Sequence, residues 1–147
     1  MSGAPAPLPV SGLHHLKLPV LDLARSRAWY ERVLGLTAKL EFADADGTVR
    51  GVSFAPLAGL RLALREDPER ARALAGFDPL ALAVRTRADL DTAVAGLDER
   101  GVPHGPVIAA SKGWLVGVDD PDGRQLRFYT DELQPPEDGP GMGRPVA

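Results

Sequence analysis

Two adjacent histidines, His14 and His15, are the first residues of this chain whose chemistry points to a site. Imidazole is a common metal ligand, and the pair stands in a short alternating apolar run that leads directly into an amphipathic helical pattern. Neighbouring side chains on a strand point to opposite faces, so if His15 faces a cavity, His14 faces the helix layer. A site for Zn²⁺, Fe²⁺ or Mn²⁺ needs about three protein ligands. The remainder of the chain therefore decides whether a metal binds beside His15.

The elements that would position these histidines occur twice along the chain. Leu16–Val20 alternates as a half-buried strand, and a helix capped by Asp22 and ended by Gly35 follows it. A second strand and a second helix, capped by Thr86 or Asp89, return later in the sequence. The strand candidates are residues 16–20, 36–42, 48–55 and 60–65 in the first unit and 80–84, 105–109, 114–119 and 124–130 in the second. The repeat predicts an α+β fold of two βαβββ modules that form a cupped arrangement of eight strands, with the helices on one side of each sheet.

The boundaries of the domain follow from where proline and glycine accumulate. Both ends of the chain are rich in these residues, which break helices and strands alike. We expect flexible tails at residues 1–11 and 134–147 and a single domain between them at 12–133. Within that domain, module one covers about 12–65, a connector covers 66–77, and module two covers about 78–133.

The composition is that of an ordinary globular domain and argues against several classes of protein. The 147 residues are 44% hydrophobic, and no apolar run approaches the roughly 20 residues that span a membrane. Cysteine is absent, which rules out disulfides and thiolate metal sites. The net charge of −3 and the lack of a basic run argue against nucleic-acid binding. The N-terminus lacks the pattern of a signal peptide, so a cytoplasmic location is expected.

Two motifs carry a resemblance to a known family. They are His15-x-x-Leu18-x-Val20-x-Asp22-Leu23-x-x-Ser26-x-x-Trp29-Tyr30-x-x-Val33-Leu34-Gly35 and Asp120-Pro121-Asp122-Gly123-x-x-Leu126-x-Phe128-Tyr129. Together with the repeat they resemble the vicinal oxygen chelate superfamily, which contains glyoxalase I, extradiol dioxygenases and bleomycin-resistance proteins. The likeness extends over the whole folded part of the chain, but it does not identify a member.

The resemblance implies where a metal would bind in this chain. Metal-using members take one ligand from the first strand, one from the first strand of the second unit and a glutamate from the last strand. These positions fall on His15, Pro79 and Arg127, and the position that some members use on the fourth strand lies near Arg61 or Ala63. Proline has no side-chain donor, and a guanidinium repels a cation. We therefore expect neither a metal nor another cofactor.

Strand alternation predicts what the cup holds instead. If the leucines and valines of each strand pack beneath the helices, Lys17, Arg61, Arg127 and Arg85 face the cup around His15. Guanidinium groups bind carboxylates and phosphates in a bidentate way, so a basic cup suits an anionic ligand. A tryptophan is a good platform for a flat ligand, and a tyrosine hydroxyl can donate to a ligand oxygen. The candidate ligand-binding residues are His15, Lys17, Arg61, Arg85, Trp114, Arg127 and Tyr129.

These residues support a metal-free small-molecule binding protein of the bleomycin-resistance type, which is expected to be a homodimer that sequesters a polar, anionic ligand. The alternative is an enzyme, a lyase, isomerase or oxygenase. Its metal ligands would come from Glu41, Glu66, His104 or a partner chain, or His15 would act as a general base while Arg127 stabilises an enolate. A third hypothesis is a regulatory subunit with an empty cup. The sequence assigns no catalytic residue, and it leaves open whether one chain or a dimer completes the cup.

Overall fold

Two modules of the same construction make up the chain in this computed structural model, which describes residues 3–135 and 146. Module one contains β1 (Leu16–Val20), α1 (Leu23–Leu34), β2 (Ala38–Ala43), β3 (Val49–Phe54) and β4 (Leu62–Glu66). Helix α2 (Pro68–Ala73) lies in the connector. Module two contains β5 (Leu80–Val84), α3 (Arg87–Glu99), β6 (Ile108–Ala109), β7 (Trp114–Asp119) and β8 (Gln125–Thr130). The α+β prediction of two βαβββ modules is confirmed.

Each module forms a four-stranded sheet with the same topology. The strand orders are β1-β4-β3-β2 and β5-β8-β7-β6. The first and last strands of each module are parallel, and the other pairs are antiparallel. A parallel pair needs a crossover connection, and α1 and α3 begin the connections that provide it. Strand β6 is shorter than the predicted 105–109, because only Ile108 and Ala109 pair with β7.

Capping residues place the two long helices. The Asp22 side chain accepts a hydrogen bond from the Arg25 amide, and Gly35 ends α1 with a left-handed φ of 69°. The Thr86 hydroxyl caps α3 by accepting from the Asp89 amide, so Thr86 is the cap of the two candidates. Each long helix buries its apolar face against the sheet of its own module. The opposite face of that sheet is therefore not covered by the helix.

The core follows the helix-facing sides of the sheets. Leu18, Val20, Val52, Leu62 and Leu64 are each at most 3% exposed and pack with α1. A second cluster joins the modules, since it contains residues of both long helices and of β7. Its buried members are Val33, Leu97, Val102 and Val118.

A buried polar network also ties the modules together, and the turn between β7 and β8 supplies most of it. The network consists of Tyr30, Asp120, Asp122 and Arg124, all less than 8% exposed. Asp120 accepts from the Tyr30 hydroxyl at 2.7 Å and from Arg124 Nη2 at 2.8 Å. Arg124 also donates to the Pro19 carbonyl of module one. The sequence predicted this segment only as a turn, and it is in addition an inter-module joint.

Burial at this joint holds the Tyr30 hydroxyl in its protonated form. Desolvation raises the pKa of Tyr30 above its ordinary value, and the negative charge of Asp120 raises it further. The phenol therefore stays a hydrogen-bond donor to the carboxylate throughout the physiological range.

The predicted connector at 66–77 contains one short helix, α2, which Asp67 caps by accepting from the Arg70 amide. The predicted C-terminal tail at 134–147 falls mostly outside the described residues. Within the described part, no helix has both the length and the apolar character that crossing a membrane requires.

Candidate functional site

Each module has its own cavity on the face of its sheet opposite its own long helix, and Trp29 and Arg32 of α1 also line the cavity of module two. The module-one cavity has a volume of about 630 Å³, and the module-two cavity has a volume of about 1080 Å³. Volumes of this order are typical of small-molecule sites. No residue lines both cavities. Alternation predicted one basic cup, but in a single chain the predicted residues line two separate cavities. We refer to each cavity as a half-site.

Parallel pairing of β1 with β4 sets the cationic side of the module-one cavity. Lys17 lies beside Ala63 in this pairing, and Arg61 and Arg65 lie two residues to either side of Ala63. Residues two apart on a strand share a face, so all three cations line the cavity. The positions of Lys17 and Arg61 follow the alternation prediction.

A fourth cation, Lys39, reaches the same cavity because β2 is irregular. The pairing of β2 with β3 shifts between Ala38 and Leu40, which leaves Lys39 as the extra residue of a bulge. Lys39 and Leu40 then both line the cavity, although they are neighbours in sequence. Regular alternation would have put them on opposite faces, so the sequence pattern missed Lys39.

The positive charge of the module-one cavity has no carboxylate beside it among the described residues that line the cavity. No aspartate or glutamate lines it, and Lys17, Lys39, Arg61 and Arg65 all line it and are exposed. Among the described residues, none of these four cations forms a salt bridge within 4.0 Å. The cavity therefore concentrates positive charge in a chain whose net charge is −3.

Both N-terminal histidines line the module-one cavity. Strand β1 begins at Leu16, so His14 and His15 precede it and are not subject to strand alternation. Their Nδ1 atoms are 2.9 Å apart, and their rings meet edge to face. The expectation that His14 faces the helix layer is corrected, because the backbone at His14 is not a strand.

The module-two cavity is lined by Arg32, Arg127 and Tyr129, together with the acidic Asp119, and Arg127 is already paired. Arg127 Nη1 lies 2.9 Å from an Asp78 carboxylate oxygen, and Arg127 Nε donates to Gln125 Oε1 at 2.7 Å. The Gln125 side chain lies across Gly117, where an added Cβ would approach Gln125 Cδ to 2.6 Å. These contacts neutralise and orient the guanidinium, so this half-site is less basic than module one.

His104, which the sequence analysis names only as an alternative metal ligand, also lines the module-two cavity from a loop. It bonds to the Gly105 carbonyl at 2.7 Å and to Asp98 at 2.8 Å. Both contacts raise the pKa of His104, the carbonyl more than the carboxylate. His104 is therefore a cation over a wider pH range than an isolated histidine.

Arg85 and Trp114 line neither of these two cavities. Trp114 is half-buried at the start of β7, where the Arg87 guanidinium lies 5.6 Å from its ring centroid. The other tryptophan, Trp29 of α1, lines the module-two cavity. The ligand-binding roles of Arg85 and Trp114 remain predictions from the sequence.

The side chains of one chain do not supply a metal site in the positions that the resemblance implies. His15 lies in one cavity and Arg127 in the other, and Pro79 has no donor atom. Within residues 3–135, no three histidine or carboxylate side chains come close enough together to hold a metal ion.

The alternative ligands that the sequence offered have other partners. Glu41 pairs with Arg27 at 2.7 Å. Glu66 pairs with Arg50 and accepts from the Leu23 amide at 3.1 Å, close to the start of α1. These two carboxylates and His104 do not converge on one point, so they do not replace the missing donor set.

Solved structures share this architecture. A glyoxylase/bleomycin resistance protein/dioxygenase domain from Frankia sp. EAN1pec is 26% identical, with a TM-score of 0.65 over 82% of this chain and 98% of that one. A lactoylglutathione lyase from Agrobacterium tumefaciens is 21% identical, with a TM-score of 0.67 over 84% of this chain and 96% of that one. TnmS3, an antibiotic binding protein from Streptomyces sp. CB03234, is 22% identical, with a TM-score of 0.67 over 84% and 98%.

Likeness at these identities shows the fold and leaves the activity open. Among curated protein sequences, none matches this chain significantly. The model of one family does match, and it covers residues 12–128, which include both modules and the turn of the inter-module network. The chain therefore belongs to the Glyoxalase/Bleomycin resistance protein/Dioxygenase superfamily.

Proposed function

We propose that this protein binds an anionic small molecule in the module-one cavity, holds it without a metal, and sequesters it rather than converting it. One observation carries the proposal: four cations line this cavity, and no carboxylate lines it with them. Like charges gathered on one surface repel each other, and a bound anion relieves that repulsion while it accepts hydrogen bonds.

The residues at the positions of the family's metal ligands support a binding protein more than a metal enzyme. Pro79 and Arg127 stand where metal-using members carry ligands, and Arg127 is paired with Asp78. The antibiotic binding protein TnmS3 has the same fold, so the fold accommodates a binding function. We therefore assign the cationic residues of module one to ligand binding and none of them to catalysis.

Isothermal titration of the purified protein with inorganic pyrophosphate tests the proposal. We expect saturable binding that weakens as salt is raised, because exposed charges are screened. Metal analysis of protein purified without a chelator is expected to find less than stoichiometric metal. Absence of binding to any anion, or a stoichiometric tightly bound transition metal, would contradict the proposal.

We also propose that the protein is a homodimer. Each chain leaves one face of both sheets without a helix over it, and each half-site is open on the side away from its sheet. A second copy that sets its module-two face against the module-one face would close both half-sites. In a single chain Ile108 of the edge strand β6 is 48% accessible. An exposed apolar side chain on an edge strand favours a second copy that covers it. Sedimentation velocity at micromolar concentration should give twice the chain mass of 15.6 kDa, and a monomer would refute the dimer.

A further inference from the structure

We infer that the ligand of the module-one cavity is an amphipathic dianion, an aryl or alkyl compound that carries two negatively charged groups. The inference rests on the proposed function and adds the class of compound to it. It is carried by the division of the cavity surface into a cationic stripe and an apolar stripe with small residues between them.

The cationic stripe follows β1 and β4. Arg61 and Arg65 are four residues apart, which places their Cα atoms about 13 Å from each other on the same face. Lys17 lies beside the midpoint between them, in register with Ala63. A single carboxylate is too short to lie beside cations that are spread over about 13 Å, whereas two anionic groups along the stripe can engage all of them.

The apolar stripe lies on β2. Leu40 is in register with Ser53 and Phe42 with Gly51, so both side chains stand on the cavity face. They are 55% and 48% exposed, which is unusual for two large apolar residues on one short strand. Burying them against a ligand body would add favourable free energy that a small inorganic anion cannot supply.

Small residues separate the two stripes and make room for the body of the ligand. Gly51, Ser53 and Ala63 occupy the centre of the sheet face. At Gly51 an added Cβ would lie 3.3 Å from the Leu64 carbonyl oxygen, a tight contact, and 3.5 Å from Phe42 Cβ, an ordinary one, so a side chain here would take up space between the two stripes. Strands β2 and β4 are two strand spacings apart, about 10 Å, which matches the length of a fused aromatic body.

Three dyes of one scaffold test this inference. They are an anilinonaphthalene disulfonate with both sulfonates on one naphthalene ring, anilinonaphthalene sulfonate and the uncharged N-phenylnaphthylamine. We expect affinity, measured by dye fluorescence, to rise by about tenfold or more with each sulfonate. Phe42→Ser should weaken binding of the disulfonate by about tenfold and leave pyrophosphate binding unchanged, whereas Arg61→Gln should weaken both. Leu40→Ser provides a second apolar variant if Phe42→Ser does not fold.

The matched control is Phe77→Ser, because Phe77 is 55% exposed and lines neither cavity. Equal losses of dye affinity in Phe42→Ser and Phe77→Ser would overturn the inference. Ile108 lines the module-two cavity, so loss of dye binding in Ile108→Ser alone would place the dye there and would also overturn it. Pyrophosphate that binds as tightly as the disulfonate would overturn the amphipathic character of the ligand and leave the proposed function standing. If Phe42→Ser changes the mass in sedimentation, the apolar stripe is an interface between copies, and the inference fails. Failure of every anion to bind would remove the proposed function itself.

Discussion

Replacing Arg124 by methionine is expected to lower the free energy of unfolding by about 3–5 kcal/mol. Arg124 is 1% exposed and lies between the Asp120 and Asp122 carboxylates, at 2.8 Å and 3.5 Å. Methionine has a similar length and no charge, so the substitution removes the counterion that the two buried carboxylates share. Asp120 loses the larger part of this pairing, because Asp122 keeps its closer pair with Arg25 at 2.8 Å. The substitution also removes the hydrogen bond to the Pro19 carbonyl, which connects the turn of module two to β1 of module one.

Arg25→Met is the matched control for this prediction. Arg25 pairs with the same Asp122 at 2.8 Å, but its side chain is 51% exposed. Asp122 itself is buried, but in this variant it keeps Arg124 and the Leu21 amide as partners. The loss should therefore be about 1 kcal/mol, well below that of Arg124→Met. Urea denaturation of the three proteins measures both effects. Equal stability losses in the two variants would show that burial of the network does not matter and that the turn does not act as an inter-module joint.

Replacing Arg61 and Arg65 together by glutamine is expected to weaken pyrophosphate binding by about a hundredfold. A hydrogen bond from a charged group contributes about 1.5–3 kcal/mol, and a tenfold loss of affinity corresponds to about 1.4 kcal/mol. Both side chains are exposed at the cavity, so we take the lower end of this range for each. Stability should change little, because neither arginine has a salt-bridge partner among the described residues. Isothermal titration at one fixed salt concentration provides the measurement.

The control for this second prediction removes the same amount of charge elsewhere. Arg70 and Arg72 lie on α2 and line neither cavity, so Arg70→Gln/Arg72→Gln has the same net charge as the cavity variant. We expect the control to bind pyrophosphate as the wild type does. Equal losses in both double variants would show that the anion responds to net charge alone, and that the module-one cavity is not the site.

Part of the candidate site could be predicted from alternation within regular strands. Lys17 and Arg61 were placed on the open face because the apolar residues beside them must pack beneath a helix, and the structure places them there. Alternation failed where the backbone is not a regular strand. His14 precedes β1, and Lys39 lies in a bulge of β2, and a hydrophobic pattern does not reveal either departure.

The sequence by itself determined the repeated βαβββ construction, the helix caps and the side of each sheet that packs, because these depend on neighbours within a few residues. Only the tertiary structure decided that His15 and Arg127 line different cavities, since that separation depends on how two sheets of one chain are arranged. The structure also showed that Asp78 neutralises Arg127, and that the turn at Asp120 is buried against module one. Contacts between residues about 50 to 100 positions apart produce these features, and no local pattern of residue types encodes such contacts.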